Sequence, residues 1–257
     1  DYVERFNIKV KCTTKVVQID KVEMNYLLTD QEGNRFLAKN LIVASGFLKP
    51  FVPMIKGIEL ADNYTEMSID TKDYENKHVL IIGKGNSAFE TADHLVSSAA
   101  VIHLCSPNSL NFAWKTHYVG HLRAVNNNIL DTYQLKSQNA VLDAEILSIE
   151  KVADKFKVLF RYKHAEGESE ELYYDKVLCC TGFAMNTDFF NENSKPELTV
   201  KDKYPNINED FESVNQKNMY FVGTLTHSLD YKMATSGFIH GFRYNARALN
   251  TILNKKN

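Results

Sequence analysis

The chain has 257 residues, 44% of them hydrophobic and 24% charged, and a formal net charge of −2. This length predicts one large or two smaller domains, and the composition is typical of a globular protein. The balanced charge gives no basis for binding nucleic acid or an anionic membrane, and no apolar run is long enough to span a bilayer. The four cysteines contain no C-x-x-C pair, so neither a redox dithiol nor a metal site is indicated.

The amino-terminal part of the chain predicts β-structure. Asn7–Asp20 and Met24–Ala44 are rich in β-branched and apolar residues, which favour strands. Asp30–Asn34 interrupts the second run and contains a glycine, so we expect a hairpin turn there. Leu41–Ala44 predicts a short buried strand, and a linker with prolines then extends from about residue 47 to Lys77.

The most informative stretch is His78–Asp93. Val79–Ile82 predicts a buried parallel strand, and the residues after it match G-x-G-x-x-G with alanine in the third position. The helix that follows would direct its free N–H groups and positive dipole end at a pyrophosphate. The alternative is a structural strand–turn–helix without a ligand. The candidate dinucleotide-binding residues are Gly83, Gly85, Asn86, Ser87 and Ala88.

The second strand of this unit predicts the choice of nucleotide. An NAD-binding unit has an acidic residue about 20 residues after its glycines, where it binds the ribose 2′-OH. Cys105 and Ser106 occupy this position, so we infer that no carboxylate stands near it. We therefore expect NADPH, with Ser106, Asn108 and Lys115 as available partners of its 2′-phosphate.

An internal repeat organises the rest of the chain. Ile146–Val152 matches Val16–Val22, about 130 residues earlier, and Val177–Phe183 matches Leu41–Phe47. A first copy of equal size would have its own glycine-rich turn roughly 50 residues before residue 1. The repeat therefore predicts that the chain begins inside its first dinucleotide-binding unit and is inactive alone.

The last segment begins with another strand that ends on a glycine. Met219–Gly223 predicts this strand, and Thr224–Thr235 a loop. A helix is then predicted through Leu253, with Ser236 as its N-cap. A helix that begins with Ser-Gly is again suited to the oxygen atoms of a ligand.

These features resemble the flavoproteins that have two dinucleotide-binding domains. Each unit closes on a similar turn, Ala44–Gly46 in the first and Cys180–Gly182 in the second. More specific matches resemble the FAD-dependent oxidoreductase domain-containing protein 2 group, which includes an endoplasmic-reticulum flavoprotein associated with degradation. These matches are Gly85–Ala92, Trp114–Gly120, Leu122–Asn127, Asp131–Ser137 and Gly237–Tyr244.

The resemblance implies an α/β, Rossmann-like FAD/NAD(P)-binding fold. An NAD(P)H unit at residues 73–183 would be inserted in an N-terminally truncated FAD unit formed by residues 1–72 and 184–257. Each unit would carry a small β-meander. The cofactors implied are FAD and NADPH.

The resemblance also implies a set of FAD contacts. Ala44, Ser45 and Gly46 would lie beside FAD where the domains join, with Thr181 and Gly182 in the corresponding turn of the second unit. Gly223 would approach the ribityl–phosphate region, and Gly237 and Phe238 would begin the helix directed at the isoalloxazine. The sequence departs from the larger group at Thr224, where an acidic residue is usual.

The function implied is hydride transfer from NADPH to the flavin, in the endoplasmic-reticulum protein quality control of the relatives. No catalytic side chain is identified, because the cofactors carry this chemistry. A non-catalytic scaffold that binds a client or partner protein is the alternative. A flavin monooxygenase is disfavoured, since the linker has no histidine before His78. The resemblance and the acceptor pattern Asn63–Thr65 favour the endoplasmic-reticulum lumen, with the cytoplasm as the alternative.

Overall fold

The computed structural model describes residues 2–133 and 138–256. Part of the predicted Asp131–Ser137 match, residues 134–137, therefore lies outside the described residues. The helices in chain order are α1 Tyr2–Arg5, α2 Asn86–Leu95, α3 Ala113–Thr116, α4 Asn128–Tyr133 and α5 Ile239–Lys256. Among the described residues, no helix is both long and apolar enough to cross a bilayer.

Most strands follow one another without an intervening α-helix. In chain order they are β1 Val16–Val22, β2 Asn25–Asp30, β3 Arg35–Ala38, β4 Leu41–Val43, β5 Phe47–Pro50, β6 Asp62–Asn63, β7 His78–Ile82, β8 Val101–Ser106, β9 Ala140–Val152, β10 Lys155–Tyr162, β11 Ser169–Tyr174, β12 Lys176–Cys179, β13 Phe183–Met185, β14 Leu198–Thr199, β15 Tyr204–Pro205 and β16 Met219–Phe221.

The chain folds into two units, one formed by Asp1–Lys49 with Ala184–Asn257 and the other by Pro50–Phe183. The sequence predicted that the first segment extends to residue 72, whereas the structure groups residues 50–72 with the second unit. The reason is packing: β6 pairs with β12, and Ile55 and Ile58 pack against the core of the second unit. The segment predicted as a linker is thus largely part of a folded unit.

The second unit is built on a seven-stranded sheet with the order β11-β10-β9-β8-β7-β12-β6. The pairs that join β9, β8, β7, β12 and β6 are parallel, whereas β9, β10 and β11 form an antiparallel meander. β9 belongs to both parts, since its first residues pair with β8 and its later ones with β10. The predicted α/β class with a parallel sheet is confirmed.

Strand β7 is the middle one of the five strands joined by parallel pairs, and it is apolar on both faces. Side chains alternate along a strand, so Val79 and Ile81 face one side and Leu80 and Ile82 the other. The first pair packs in a core with Phe89 of α2, and the second pair packs against the meander. All four strand residues are buried. This two-sided burial fixes where β7 ends, and therefore where the glycine-rich turn begins.

The first unit repeats part of this plan. β1, β2 and β3 form an antiparallel three-stranded sheet, and β4 then pairs in parallel with β16. The hairpin glycines of the two meanders, Gly33 and Gly167, have φ angles of 83° and 81°. The structure therefore confirms the predicted repeat, in which a meander with a glycine turn leads into a parallel strand. The core of this unit gathers Ile19, Tyr26 and Phe221.

Candidate functional site

The glycine-rich turn lies at the carboxyl end of β7. Gly83 has a φ angle of 127°, which L-residues with a side chain rarely adopt. A Cβ atom on Gly83 would lie 2.3 Å from the carbonyl oxygen of Cys180. The N–H of Gly83 donates to the carbonyl of Cys105 at 2.8 Å, which ties the turn to the end of β8. Only glycine fits this position.

Helix α2 begins immediately after this turn, as the motif predicts. Gly85 is its N-cap and contributes no side-chain cap, so the first N–H groups of the helix, on Asn86, Ser87 and Ala88, have no intrahelical partner. A Cβ on Gly85 would meet no atom within 4 Å, so there is open space in front of these donors. Open space, bare backbone and a positive helix end together suit a pyrophosphate.

The side chain of Asn86 has another role. Its amide nitrogen donates to the carbonyl of His121 at 2.9 Å, and its amide oxygen accepts from the N–H of Arg123 at 3.0 Å and from Asn126 at 2.9 Å. Arg123 and Asn126 both also bond Glu90 on α2 at 3.0 Å. Asn86 therefore offers a phosphate its backbone N–H, while its side chain fastens residues 121–126 to the helix.

A cavity of about 360 Å³ opens beside the turn, at the carboxyl ends of the parallel strands. Ile82 and Gly83 line it from β7, Ser106 from β8, and Thr181 follows β12. Carboxyl ends of parallel strands are where α/β sheets bind ligands. The remaining lining residues are mostly apolar and come from 53–55, from either side of Ser106 and from β9: Pro53, Met54, Ile55, Cys105, Pro107, Ala144, Glu145, Ile146 and Leu147.

The polar groups at this edge are held by local hydrogen bonds. Ser106 donates its hydroxyl to the carbonyl of Asn108 at 3.2 Å, so the hydroxyl oxygen keeps its acceptor capacity. The Thr181 hydroxyl donates to the carbonyl of Phe51. Gly182 has a φ angle of 84° and accepts from the N–H of Phe51 at 2.9 Å. Thr181 and Gly182 thus fix residue 51 beside the strand ends.

The structure brings to this edge an acidic residue that the sequence had not indicated. Asp143, in β9, lies opposite Ser106 in the parallel pairing of β8 and β9. The inference that no carboxylate stands near Ser106 is therefore wrong, because the two residues are far apart in sequence and adjacent in the sheet. Asp143 forms an ion pair with Lys84, whose side chain is 4% exposed.

The predicted FAD residues of the first unit lie after two paired strands. Ala44, Ser45 and Gly46 follow β4, and Gly223 and Thr224 follow β16, so the parallel pairing places both turns at one edge. Gly46 and Gly223 have φ angles of 67° and 70°. A Cβ on Gly46 would lie 3.7 Å from the hydroxyl oxygen of Thr224. The structure therefore brings these five residues together.

One polar atom at this edge fits a ligand. The hydroxyl oxygen of Ser45 is buried and has no hydrogen-bond partner in the described structure. A Cβ on Gly223 would meet no atom within 4 Å, so open space adjoins this turn. A buried hydroxyl without a partner is costly, and a ligand that bonds it removes this cost. These residues fit the cofactor that the resemblance implies.

The start of the last helix differs from the prediction. Helix α5 begins at Ile239, so Gly237 and Phe238 precede it, and Ser236 is not its N-cap. The Ser236 hydroxyl instead donates to Asp230, and its oxygen lies 3.2 Å from the carbonyl oxygen of Thr226. The serine of this Ser-Gly pattern thus holds the loop closed against residues 226–230 and does not cap the helix. Asp230 binds the serine hydroxyl, which would otherwise be available to cap the helix.

A buried histidine in this region was not indicated by the sequence. His227 lies with its ring 5.4 Å from that of Phe238 and its Nδ1 3.4 Å from Asp230 Oδ1. A Cβ on Gly237 would lie 2.4 Å from the Cβ of His227, so glycine allows the two segments to approach. Burial lowers the pKa of His227, against the opposing effect of Asp230. No local pattern marks a histidine for such a site.

No metal site emerges from residues 2–133 and 138–256, where no group of at least three His, Cys, Asp or Glu side chains is placed to share an ion. All four cysteines are free thiols. Burial raises the pKa of Cys105 and of Cys180 to about 12, so both are protonated near neutral pH. The described residues therefore offer a cofactor backbone amides, hydroxyls and charged groups.

Two solved structures show how similar this fold is to known enzymes. A flavin-containing monooxygenase from Stenotrophomonas maltophilia superposes with a TM-score of 0.71 at 15% identity, over 100% of this chain and 75% of that chain. The bacillithiol disulfide reductase of Bacillus cereus gives a TM-score of 0.68 at 18% identity, over 100% and 75%. These likenesses show the fold, which is the predicted Rossmann-like FAD/NAD(P)-binding fold.

Curated relatives confirm the predicted resemblance. FAD-dependent oxidoreductase domain-containing protein 2 of Mus musculus is 32% identical over 98% of this chain and 42% of its own length. The Danio rerio protein of the same name is 33% identical over 99% and 44%. The chain thus spans less than half the length of these relatives. Residues 1–223 match the profile of the pyridine nucleotide-disulphide oxidoreductase family, and the chain belongs to that family.

Proposed function

We propose that this chain acts in an FAD-dependent oxidoreductase that takes its hydride from NADPH. In this proposal the second unit binds the nicotinamide nucleotide and the first unit binds FAD. Family membership and the names of the relatives support the oxidoreductase class. The observation that carries the proposal is the turn at Gly83 and Gly85, with open space in front of the α2 N-terminus.

The residues of the second unit would act by binding and orientation. The N–H groups of Asn86, Ser87 and Ala88 would hold the pyrophosphate, with the helix dipole adding to the attraction. The cavity at the strand ends would take a nucleoside part, with Ser106 and Thr181 as its polar contacts. Its largely apolar walls would exclude water from a bound ring.

The residues of the first unit would position the flavin. Gly46 and Gly223 would allow backbone to approach it closely, and the Ser45 hydroxyl would gain a hydrogen-bond partner. When bound, FAD supplies the centre that accepts hydride from the nicotinamide. Since Thr224 replaces an acidic residue, contact with a ribityl hydroxyl would come from a hydroxyl and the neighbouring backbone.

Anaerobic titration with NADPH tests this function. Protein prepared with the complete FAD-binding domain and stoichiometric FAD should lose the visible flavin absorbance on addition of NADPH, because the reduced flavin is nearly colourless. Gly85→Val should slow this bleaching and leave photochemical reduction of the flavin unchanged. Protein that binds FAD and is reduced photochemically, yet is not reduced by NADPH, would refute the proposed reaction.

A non-catalytic scaffold is the second candidate, and the residue Thr224 favours it. In this case the fold would be kept to bind a client or partner protein. A scaffold predicts no flavin reduction by NADPH and normal stability after Gly85→Val. The endoplasmic-reticulum lumen and a role in protein quality control stay predictions from the resemblance. Asn63, the proposed glycan acceptor, lies in β6 with its amide oxygen buried, unlike the exposed loop typical of such sites.

A further inference from the structure

Lys84, within the glycine-rich turn, reaches the strand next to the one that usually sets nucleotide specificity. Its backbone follows β7, yet its ammonium pairs with Asp143 of β9. In the sheet, β8 lies between these two strands. The Lys84 side chain therefore spans the carboxyl end of β8, where Ser106 is the last residue. Only 4% of this side chain is exposed, so its position is fixed by packing.

Asp143 is held ionised at this position. Burial acts to raise its pKa, but hydrogen bonds from Lys84 and from Ser109 outweigh burial and lower it. The Ser109 hydroxyl donates to Asp143 at 2.6 Å, and the Nε2 atom of His164 lies 3.6 Å from the same carboxylate. A carboxylate and an ammonium thus stand side by side beside the end of β8.

A second cavity adjoins the same carboxylate. It has a volume of about 290 Å³ and is lined by Leu110, Leu130, Val141 and Asp143. Aliphatic walls with a polar group at one side suit a purine base attached to a ribose. Asp143, the carboxylate of the ion pair, therefore lines this cavity and stands opposite Ser106, the last residue of β8.

We propose that Lys84 and Asp143 together set the preference between a 2′-phosphate and a 2′-hydroxyl on the bound nucleotide. The inference rests on the proposed nucleotide-binding function. Lys84 attracts a 2′-phosphate, and Asp143 repels it and accepts a hydrogen bond from a 2′-hydroxyl. In NAD-binding units the corresponding acidic residue ends the second strand itself. Here it is contributed by the adjacent strand and opposed by a lysine from the phosphate turn.

Calorimetric titration with two mononucleotides tests this assignment without flavin or turnover. The probes are adenosine 2′,5′-bisphosphate and 5′-AMP, which differ only in the 2′-phosphate. Asp143→Asn should tighten the bisphosphate about tenfold, because repulsion is removed, and leave 5′-AMP within about twofold. Lys84→Met should weaken the bisphosphate about tenfold, since the remaining charge is the carboxylate.

Lys84→Met leaves a partly buried carboxylate without its partner, which destabilises a fold. The double variant Lys84→Met/Asp143→Asn removes both charges and keeps the test open if the single variant does not fold. It should bind the two probes with the same affinity to within about twofold. The matched controls are Lys155→Met and Asp175→Asn, which alter an ion pair of 3.5 Å in the same unit.

The control pair lies at the other end of the strands, since Asp175 also accepts from the N–H of His78, the first residue of β7. Neither control should change the ratio of the two affinities. Folded Lys84 and Asp143 variants that change both affinities equally would overturn the assignment. Wild-type protein that binds neither probe would instead refute the proposed nucleotide site, so the two failures are distinguishable.

Discussion

The α-carbon of Gly83 faces the carbonyl oxygen of Cys180, and a Cβ between them would stand 2.3 Å from that oxygen. The parallel strands β7 and β12 end side by side here. Because Gly83 has no side chain, the turn between β7 and α2 can pass close to the end of β12. The left-handed φ angle of Gly83 adds a second reason for glycine.

The first prediction is that Gly83→Ala destabilises the fold. The methyl group clashes with backbone that cannot rotate away, and the φ angle becomes strained, so we expect a loss of about 2–4 kcal/mol in the free energy of unfolding. Urea denaturation measures it. Gly85→Ala is the control, with a change within about 1 kcal/mol, because its extended backbone accepts a side chain and its Cβ meets open space.

The second prediction is that Gly85→Val weakens nucleotide binding without unfolding the protein. A branched side chain would fill the space in front of the α2 N–H groups, and we expect at least about a tenfold loss of NADPH affinity. Calorimetry gives the affinity, and circular dichroism checks the fold. Gly85→Ala should fall between wild type and valine. A folded valine variant with unchanged affinity would contradict the phosphate assignment.

The third prediction concerns Asn86 and the segment it holds. Asn86→Ala removes three hydrogen bonds that join α2 to His121, Arg123 and Asn126. We expect faster amide exchange in residues 121–127 and a stability loss of about 1–3 kcal/mol. Ser87→Ala, which alters the next helix residue and none of these bonds, is the stability control. Unchanged exchange in Asn86→Ala would show that other contacts hold the segment.

The fourth prediction is a selective thiol reactivity. Cys12 is exposed, whereas Cys105, Cys179 and Cys180 are buried, and burial raises the pKa of each. At pH 8 a disulfide reagent should label Cys12 quickly and the others only on unfolding. Cys12→Ser should remove the fast phase. If another thiol of that variant reacted quickly in the folded protein, the burial of Cys105, Cys179 and Cys180 would be contradicted.

These raised values also predict a loss of stability in alkali. The folded state holds the protons of Cys105 and Cys180 to a pKa of about 12, well above the usual pKa of a thiol. Their contribution is therefore complete below pH 9 and is lost as the pH rises towards about 12. Thermal melts of wild type and Cys105→Ala across this range measure it, and the variant should show the weaker pH dependence.

The fifth prediction concerns acid. His103 bonds the hydroxyl of Tyr174 at 2.7 Å and the carbonyl of Gln138 at 3.0 Å. Burial lowers its pKa below 6.5, partly offset by the Gln138 carbonyl. Its stability contribution is thus present above pH 6.5 and lost as the pH falls through the folded value. His103→Gln should flatten the acid limb of the stability curve, and the exposed His240→Gln should not.

The features that sequence predicted well are local ones. The turn at Gly83, the hairpin turn at Gly33 and the strand Val79–Ile82 all depend on residues within a few positions of each other. Hydrophobic periodicity and the residues that favour turns can both be recognised in such short segments. The repeat was visible for the same reason, since each copy carries its own short patterns.

The features that sequence missed depend on pairing between distant segments. Asp143 reaches Ser106 only through the register of β8 and β9. The side chain of Ser236 could cap a helix or bond Asp230, and only the loop geometry selects the second. Residues 50–72 read as a linker because their burial depends on strands that come much later in the chain.

The length of β9 has a mechanical consequence. One continuous strand from Ala140 to Val152 pairs first with β8 and then with β10. Unfolding of the meander therefore disturbs the backbone that carries Asp143. A ligand that stabilises the carboxyl end of β8 also stabilises the hairpin formed by β9 and β10. The meander and the carboxyl edge of the parallel strands should open as one cooperative unit, so a ligand bound at that edge should raise amide protection in the meander.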